Sequence, residues 1–489
     1  MESAGSRRTW SSMKWFVLWV SLSVISLAVG HQTGASRPKP AAIPRVQGPS
    51  DMVLNVKDFQ AAGDGQADDT AAFARALSKL AEKGGGTLLI PSGTYVVAEL
   101  NAGSGTVIKG MGSPLPVLLK RRDAKSILEI SSGRLEDVRG VLHDITIEYV
   151  TLRGRSVEEG FSEHTHNINV SGVTRLFVQN VRIEGFQGDG IYLGRGRQQN
   201  GQIAHNSDVR VADNSFEGVN NENRNGVSLI DCSQCVLEHN VFTHVSRPSM
   251  PGAIDIEPNE RDEIVRDVMI RDNAITGNNG GVGSISVVLY YKDFLTMPGH
   301  ITIENNRIQD SKHGITILWQ GGAATKQTPP LEMIIRHNFL KEVDGPLQLD
   351  GIAGVTVDDN DFSGSRSEVM VGYGLGASSL HFIKNRFERI GSNSTQGITL
   401  CGPLTDLVFE KNSFIDLGSG RQQGSAIYFA RGAATNVSFT GNTFSSPSRV
   451  TQNAIRTANG VSLRRETNTW KGNVLQDGVR QGTFAHRVE

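Results

Sequence analysis

An asparagine followed two residues later by an apolar residue recurs through most of this chain, and it restricts the fold more than any other feature. It reads Asn214-Ser-Phe216, Asn240-Val-Phe242, Asn273-Ala-Ile275, Asn306-Arg-Ile308 and Asn338-Phe-Leu340, then Asn360-Asp-Phe362, Asn385-Arg-Phe387, Asn412-Ser-Phe414 and Asn442-Thr-Phe444. The interval is 33, 33 and 32 residues from Asn240 to Asn338 and 22 to 30 thereafter. A period of this size belongs to a solenoid, a propeller or another array. Blades of a propeller need regular lengths closed by antiparallel hairpins, and these irregular intervals argue against them.

The local pattern chooses among solenoids. An alternating run precedes each asparagine, as in Ile301-Thr-Ile303-Glu304, and a second run of the form Gly-Ile-x-Leu follows, as in Gly190-Ile-Tyr-Leu193, Gly226-Val-Ser-Leu229 and Gly397-Ile-Thr-Leu400. Alternation is the strand period, and no run inside the repeats has the helical one. Coils of about three short strands, stacked in parallel at roughly 4.8 Å, satisfy the pattern. The expected fold is all-β, a right-handed parallel β-helix. Its asparagines should stack at one corner, where an Asn side chain can bond the next coil and tolerate a left-handed bend.

A chain of 489 residues would otherwise suggest two or three domains, but each coil of a solenoid needs only its neighbours to bury its apolar side. Residues 51–489 therefore read as one domain, with a cap over 51–97 and coils over about 98–475. In the cap, Asp68-Asp69-Thr70 opens a helical pattern with Phe73, Ala76, Leu77 and Leu80 on one face, closed by Gly84-Gly85-Gly86. Asp at the start and Gly at the stop are sound capping chemistry. Residues 1–30 read as an export signal, with Arg7, Arg8 and Lys14 ahead of an apolar stretch from Trp15 to Val29. That run is shorter than the roughly 20 residues of a spanning helix. Residues 31–50, with four prolines, read as a linker. The expected location is secreted, periplasmic or cell-surface, with no membrane insertion once the signal is cut.

Charge excludes one class of partner. The balance is −1 overall and −3 without residues 1–30, with no basic run, so phosphate neutralisation cannot hold a nucleic acid here. Three cysteines are present. Cys232 and Cys235 lie too far from any His cluster for a zinc site, and read as a local disulfide or two buried thiols.

The opening of the domain is familiar. Asn55-Val-Lys-Asp58-Phe59, Gly63-Asp-Gly65, Asp68-Asp69-Thr70, Gly84-Gly-Gly-Thr87 and Pro91-x-Gly93-Thr-Tyr95 resemble the start of the pectate-lyase-like superfamily. The branch they resemble most groups rhamnogalacturonases, epimerase-like pectate lyases and polygalacturonase relatives. The resemblance implies a right-handed β-helix and activity on acidic polysaccharides. It is specific over residues 53–97, and the repeats agree with it to about 475. The catalytic pattern of polygalacturonases is missing. Gly188-Asp189-Gly190 stands on the first corresponding coil, but the next has Arg224-Asn225-Gly226 without an Asp pair and the third Pro251-Gly252-Ala253 without a Gly-His.

Aligning the Gly-Ile-x-Leu runs places chemistry. Ile and Leu point inward, so the residue between them points out. That outward column reads Tyr192, Ser228, Asp255, Ser286, Thr316, Gln348, Met370, Thr399 and Tyr428. Asp255 and Glu257 share one face, roughly 6.5–7 Å apart along the strand, a spacing suited to acid and base carboxylates about a glycosidic bond. Their repulsion would keep one protonated as the acid. Asp189 can assist from two coils away.

The expected function is an exported enzyme that cleaves a uronate-containing polysaccharide by glycoside hydrolysis, using Asp255, Glu257 and Asp189 and no cofactor. A lyase or epimerase would use the same groove, with Asp255 and Glu257 binding Ca²⁺ and bases drawn from nearby coils. Substrate-binding candidates are Tyr192, Arg224, His244, Tyr290, Lys292 and Trp319, with Tyr192 and Trp319 as sugar-stacking platforms. Loops at 194–208, 258–267, 291–299 and 320–330 follow the outward strand and should wall the groove. The rival from another class is a non-catalytic, glycan-binding surface β-helix. Such a protein would repeat aromatic platforms along the groove, whereas aromatics make up 6% of this chain and the carboxylates cluster on one coil.

Overall fold

The computed structural model describes residues 51–132, 140–198, 200–219, 222–322, 324, 328–420 and 424–486. The expected export signal and linker, residues 1–30 and 31–50, lie outside the described residues. The rest is a right-handed parallel β-helix whose coils are divided among three sheets of 16, 15 and 13 strands.

Each coil follows one course. A strand of up to eight residues, such as Val265–Arg271, lies in the first sheet. One residue in the left-handed region turns the chain, the repeat asparagine follows, and a three-residue strand such as Ala274–Thr276 enters the second sheet. A turn of variable length leads to the third sheet, which contains Ile168–Ser171, Ile191–Gly194, Val227–Leu229, Ile254–Ile256 and Ile285–Leu289. A loop then returns to the first sheet. The exception to parallel pairing among the described strands is a small hairpin, Gly196–Arg197 with Ile203–Ala204, in one return loop.

The asparagine corner is a continuous ladder. Asn273 Oδ1 accepts from both the backbone amide and Nδ2 of Asn240, each at 3.0 Å. Asn273 Nδ2 in turn donates to Asn306 Oδ1 at 3.0 Å and to the Leu237 carbonyl at 3.0 Å. The same pattern continues through Asn338, Asn360, Asn385, Asn412 and Asn442 to Asn473. Such bonding satisfies backbone groups that a sharp corner would otherwise bury unpaired. The left-handed bend falls one position earlier than the sequence suggests, on Asp272, Asn305, His337, Asp359, Lys384 and Lys411. The asparagine is thereby free to point inward along the stack.

Two residues on, the apolar member of the repeat stacks inside. Phe362, Phe387, Phe414 and Phe444 form a column with ring centroids 5.1, 5.4 and 4.6 Å apart, each burial worth roughly 1.5–3 kcal/mol. The helix Thr70–Glu82 buries Ala72, Phe73, Ala76, Leu77 and Leu80 against the first coils. Its start differs from the expectation, because Asp69 turns its carboxylate to the Ala62 and Gly63 amides instead of capping the helix. Cys232 and Cys235 form the local disulfide, both buried on one first-sheet strand.

Candidate active site

The third sheet carries the outward column in the register read from the sequence. Tyr192 pairs with Ser228, Ser228 with Asp255, Asp255 with Ser286 and Ser286 with Thr316, and the pairing continues through Gln348, Met370, Thr399 and Tyr428. The expected exposure of that column does not hold where the chemistry is. Ser228, Asp255 and Ser286 have no solvent-accessible surface, nor does Asp189. The reason lies in the turns between the second and third sheets. Glu163 and His166 from one of them, Arg224 from the next, Met250 and Pro251 from a third and Val282 from a fourth line one wall, opposite Asn259 of a return loop.

Arg224, on one of these turns, occupies the centre of what they enclose. Its Nη1 donates to Asp189 Oδ2 at 3.2 Å and to Ser228 Oγ at 3.1 Å. Its Nη2 donates to Glu257 Oε2 at 3.0 Å and lies 3.8 Å from Asp255 Oδ2. Glu163 Oε1 approaches Nε at 3.7 Å, which is too long for a hydrogen bond, so that N–H has no acceptor. Asn225 braces the floor, giving its backbone amide to Asp189 at 3.1 Å and Nδ2 to Ser228 and Asp255. Ser286 donates to Asp255 at 2.7 Å, and the Tyr290 hydroxyl to Glu257 Oε1 at 2.5 Å.

Burial and charge then divide the carboxylates. Complete burial, followed by the neighbouring Glu257 charge and a hydrogen bond with it, raises the Asp255 carboxyl well above the usual aspartate range, against the pull of Arg224 and Ser286. Burial and the Glu257 carboxylate thus both favour the protonated form of Asp255. Arg224, though desolvated, is driven further toward its charged form by the surrounding carboxylates, Asp189 first.

Above this floor lies a cleft of about 520 Å³ lined by Glu163, His166, Tyr192, Arg224, Met250 and Glu257 among others. Of the three proposed catalytic carboxylates, Glu257 lines it, whereas Asp189 and Asp255 lie beneath. His166 and Glu163 are additions the sequence did not reveal. The His166 ring stacks on Tyr192 at 4.8 Å. Its Nδ1 accepts from the Asp189 amide at 3.1 Å, which places the proton of the neutral ring on Nε2. Burial lowers its pKa, so the ring stays neutral. Burial likewise raises the Tyr192 phenol to about 12.

Residues 53–329 match the family described as rhamnogalacturonase A/epimerase, pectate lyase-like. The chain belongs to this family. Residues 294–475 also match the right-handed β-helix region. Among curated relatives, alginate lyase 7 of Azotobacter vinelandii is 37% identical over 114 residues, 21% of this chain and 13% of that protein. Mannuronan C5-epimerase AlgE5 of the same organism is 30% identical over 131 residues, 25% of this chain and 11% of that protein. The uncharacterized protein YclG of Bacillus subtilis (strain 168) is 26% identical over 256 residues, 47% of this chain and 42% of that protein. The chain thus spans less than half the length of these relatives. Among solved structures, the tailspike of E. coli bacteriophage HK620 in complex with pentasaccharide superimposes with a TM-score of 0.60 at 15% identity, over 87% of this chain and 78% of that one. At that identity the likeness is one of fold.

Other candidates fall outside this family member's cleft. Trp319 is fully buried, its indole N–H given to the Tyr291 carbonyl at 2.6 Å, so it is core and not a sugar platform. The inward position it takes follows from strand parity, two residues beyond Ile317. His244 follows a second-sheet strand, 3.5 Å from Glu217 and packed over Gly277, and is not among the residues that line the cleft. Lys292 stands in a return loop against Gly321, and Arg261 beside it pairs with Asp293 at 3.1 Å. The loop at 320–330 lies partly outside the described residues. No helix among the described residues is long and apolar enough to cross a membrane.

Proposed function

We propose that this protein acts on a polysaccharide laid along the third sheet and cleaves a glycosidic bond by hydrolysis at the Arg224 cleft, in the extracellular setting that its basic and apolar leader suggests. One observation carries this reading. Asp255, wholly buried with its proton affinity raised, lies beside Glu257, which faces the cleft and is held by Arg224 and Tyr290. Such a pair of carboxylates in unlike surroundings is an acid–base device. The pair gives its proton to the leaving oxygen as the glycosidic C–O bond breaks. A water oxygen bonds to the anomeric carbon, and the proton it sheds restores the pair. Glu257 is the member that meets the sugar, Asp255 holds the proton beneath it, and Asp189 positions Arg224.

The names of the relatives favour a second reading, elimination or epimerisation at a uronate, with neutral His166 and Tyr192 as proton-transfer groups. The Ca²⁺ expected for that chemistry does not fit between Asp255 and Glu257, because one guanidinium nitrogen already contacts both carboxylates. The two readings separate on a panel of polysaccharides treated with residues 31–489. Saturated reducing ends, reduced about 10²–10⁴-fold in Glu257→Gln and Asp255→Asn, support hydrolysis. Products absorbing near 235 nm, the signature of an unsaturated uronate, would replace it with elimination.

A further inference from the structure

Every charge that faces the cleft bears on which sugar it admits. Glu163 and Glu257 line it, Asp189 lies directly below, and Arg224 is the permanent cation among the described lining residues. That cation is already committed, with Nη1 bonded to Asp189 and Nη2 to Glu257. Its Nε–H is buried and has no acceptor. A buried N–H without a partner is a strong demand for one. Any group that accepts from it must sit beside Glu163 Oε1, 3.7 Å from the same nitrogen. A hydroxyl or acyl oxygen meets that demand at no electrostatic cost. A carboxylate there would face a second carboxylate at close range in a partly desolvated site, where like charges repel strongly.

Resting on the hydrolytic reading, we infer that the sugar seated in the Arg224 cleft is uncharged, with a hydroxyl or acyl oxygen accepting from Arg224 Nε–H, and that uronates of a mixed polymer lie outside this position. This reverses the expectation of a uronate at the point of cleavage. Glu163 acts as the specificity residue, since its carboxylate lines the cleft 3.7 Å from Arg224 Nε.

Carboxyl reduction turns each uronate of a polymer into the neutral sugar and leaves its linkages intact, so parent and reduced forms differ only in that charge. Polygalacturonate, alginate and rhamnogalacturonan, each beside its carboxyl-reduced form, would be compared for kcat/KM from reducing ends. Retention in affinity electrophoresis would be measured with the Glu257→Gln protein, which needs no turnover. The expected result is a reduced form cleaved and retained at least tenfold better than its parent, with Glu163→Gln narrowing that gap. A parent polymer hydrolysed to saturated ends as fast as its reduced form overturns the inference and leaves the hydrolytic reading standing. Products absorbing near 235 nm from the parent alone overturn both. Retention of no reduced form at any tested concentration also overturns the inference.

Discussion

Two stretches of the third sheet share one register and differ in everything chemical. Over the coils from Tyr192 to Ser286 the outward column is roofed by turns and tied to Arg224. From Gln348 to Tyr428 the same column carries Gln348, Met370, Thr399 and Tyr428, with no charged member. The strands and the asparagine ladder are equivalent in the two stretches. What changes is the turn from the second sheet to the third. Ten residues separate Thr243 from Ile254 and eight separate Thr276 from Ile285, but three separate Lys341 from Gly345 and Ser365 from Val369. The extra residues go into the turns, and those turns convert an outward strand position into the floor of a cleft. Chemistry in this solenoid is thus added between strands, upon a ladder that does not vary.

The sharpest way to break that comparison is to remove the cation from one stretch and a matched column residue from the other. Arg224→Ala leaves Asp189 and Glu257 buried or half-buried without their partner. A loss of about 3–5 kcal/mol is expected, together with most of the activity. Gln348→Ala, a half-buried column residue on a shorter coil, should stay within about 0.5 kcal/mol. Urea melts of the two variants test this, and equal effects would mean that the roofed coils are not special. The ladder makes the opposite forecast. Asn306→Ala and Asn385→Ala each leave a backbone amide of the preceding coil without an acceptor and take one acceptor from the asparagine Nδ2 beside it. Both should cost about 1–3 kcal/mol, alike in the two stretches.

The fold was legible because its signals are local and repeated. Period-2 runs, the asparagine interval and the Gly-Ile-x-Leu register each report on one strand and its neighbour, and the column from Tyr192 to Tyr428 follows from them without knowledge of any loop. The site was legible only in part. Asp255, Glu257, Asp189, Tyr192, Arg224 and Tyr290 meet because they lie on or beside that register. His166 and Glu163 were missed since they come from a turn before Ile168–Ser171, whose path over the sheet no periodicity encodes. Parity carried enough information to reject Trp319, which stands two residues past inward Ile317. His244 was misplaced because it precedes the turn that carries Met250 and faces Glu217 and Gly277 instead of the cleft. Burial of Asp255 could not be read either, since it depends on turns contributed by other coils.

The last forecast concerns that burial. Its sign follows from the raised carboxyl of Asp255. Below the ordinary aspartate range the group is protonated in both the folded and unfolded chains and contributes no difference. As pH rises, the unfolded chain ionises first, whereas the folded one must keep the proton or hold a charge among Glu257, Ser286 and Asn225. Stability is therefore lost between the ordinary value and the raised one, and stays level above it. Asp255→Asn cannot ionise and keeps an oxygen for Ser286 and an N–H toward Glu257, so it imitates the protonated acid. The Tm of the parent minus that of Asp255→Asn should fall as pH rises above the ordinary aspartate range, while the same difference for Gln348→Ala stays flat. A flat difference at Asp255 as well would show that it is ionised in the folded protein. The coupled pair would then hold no proton to give, and the hydrolytic assignment would need a different acid within the same cleft.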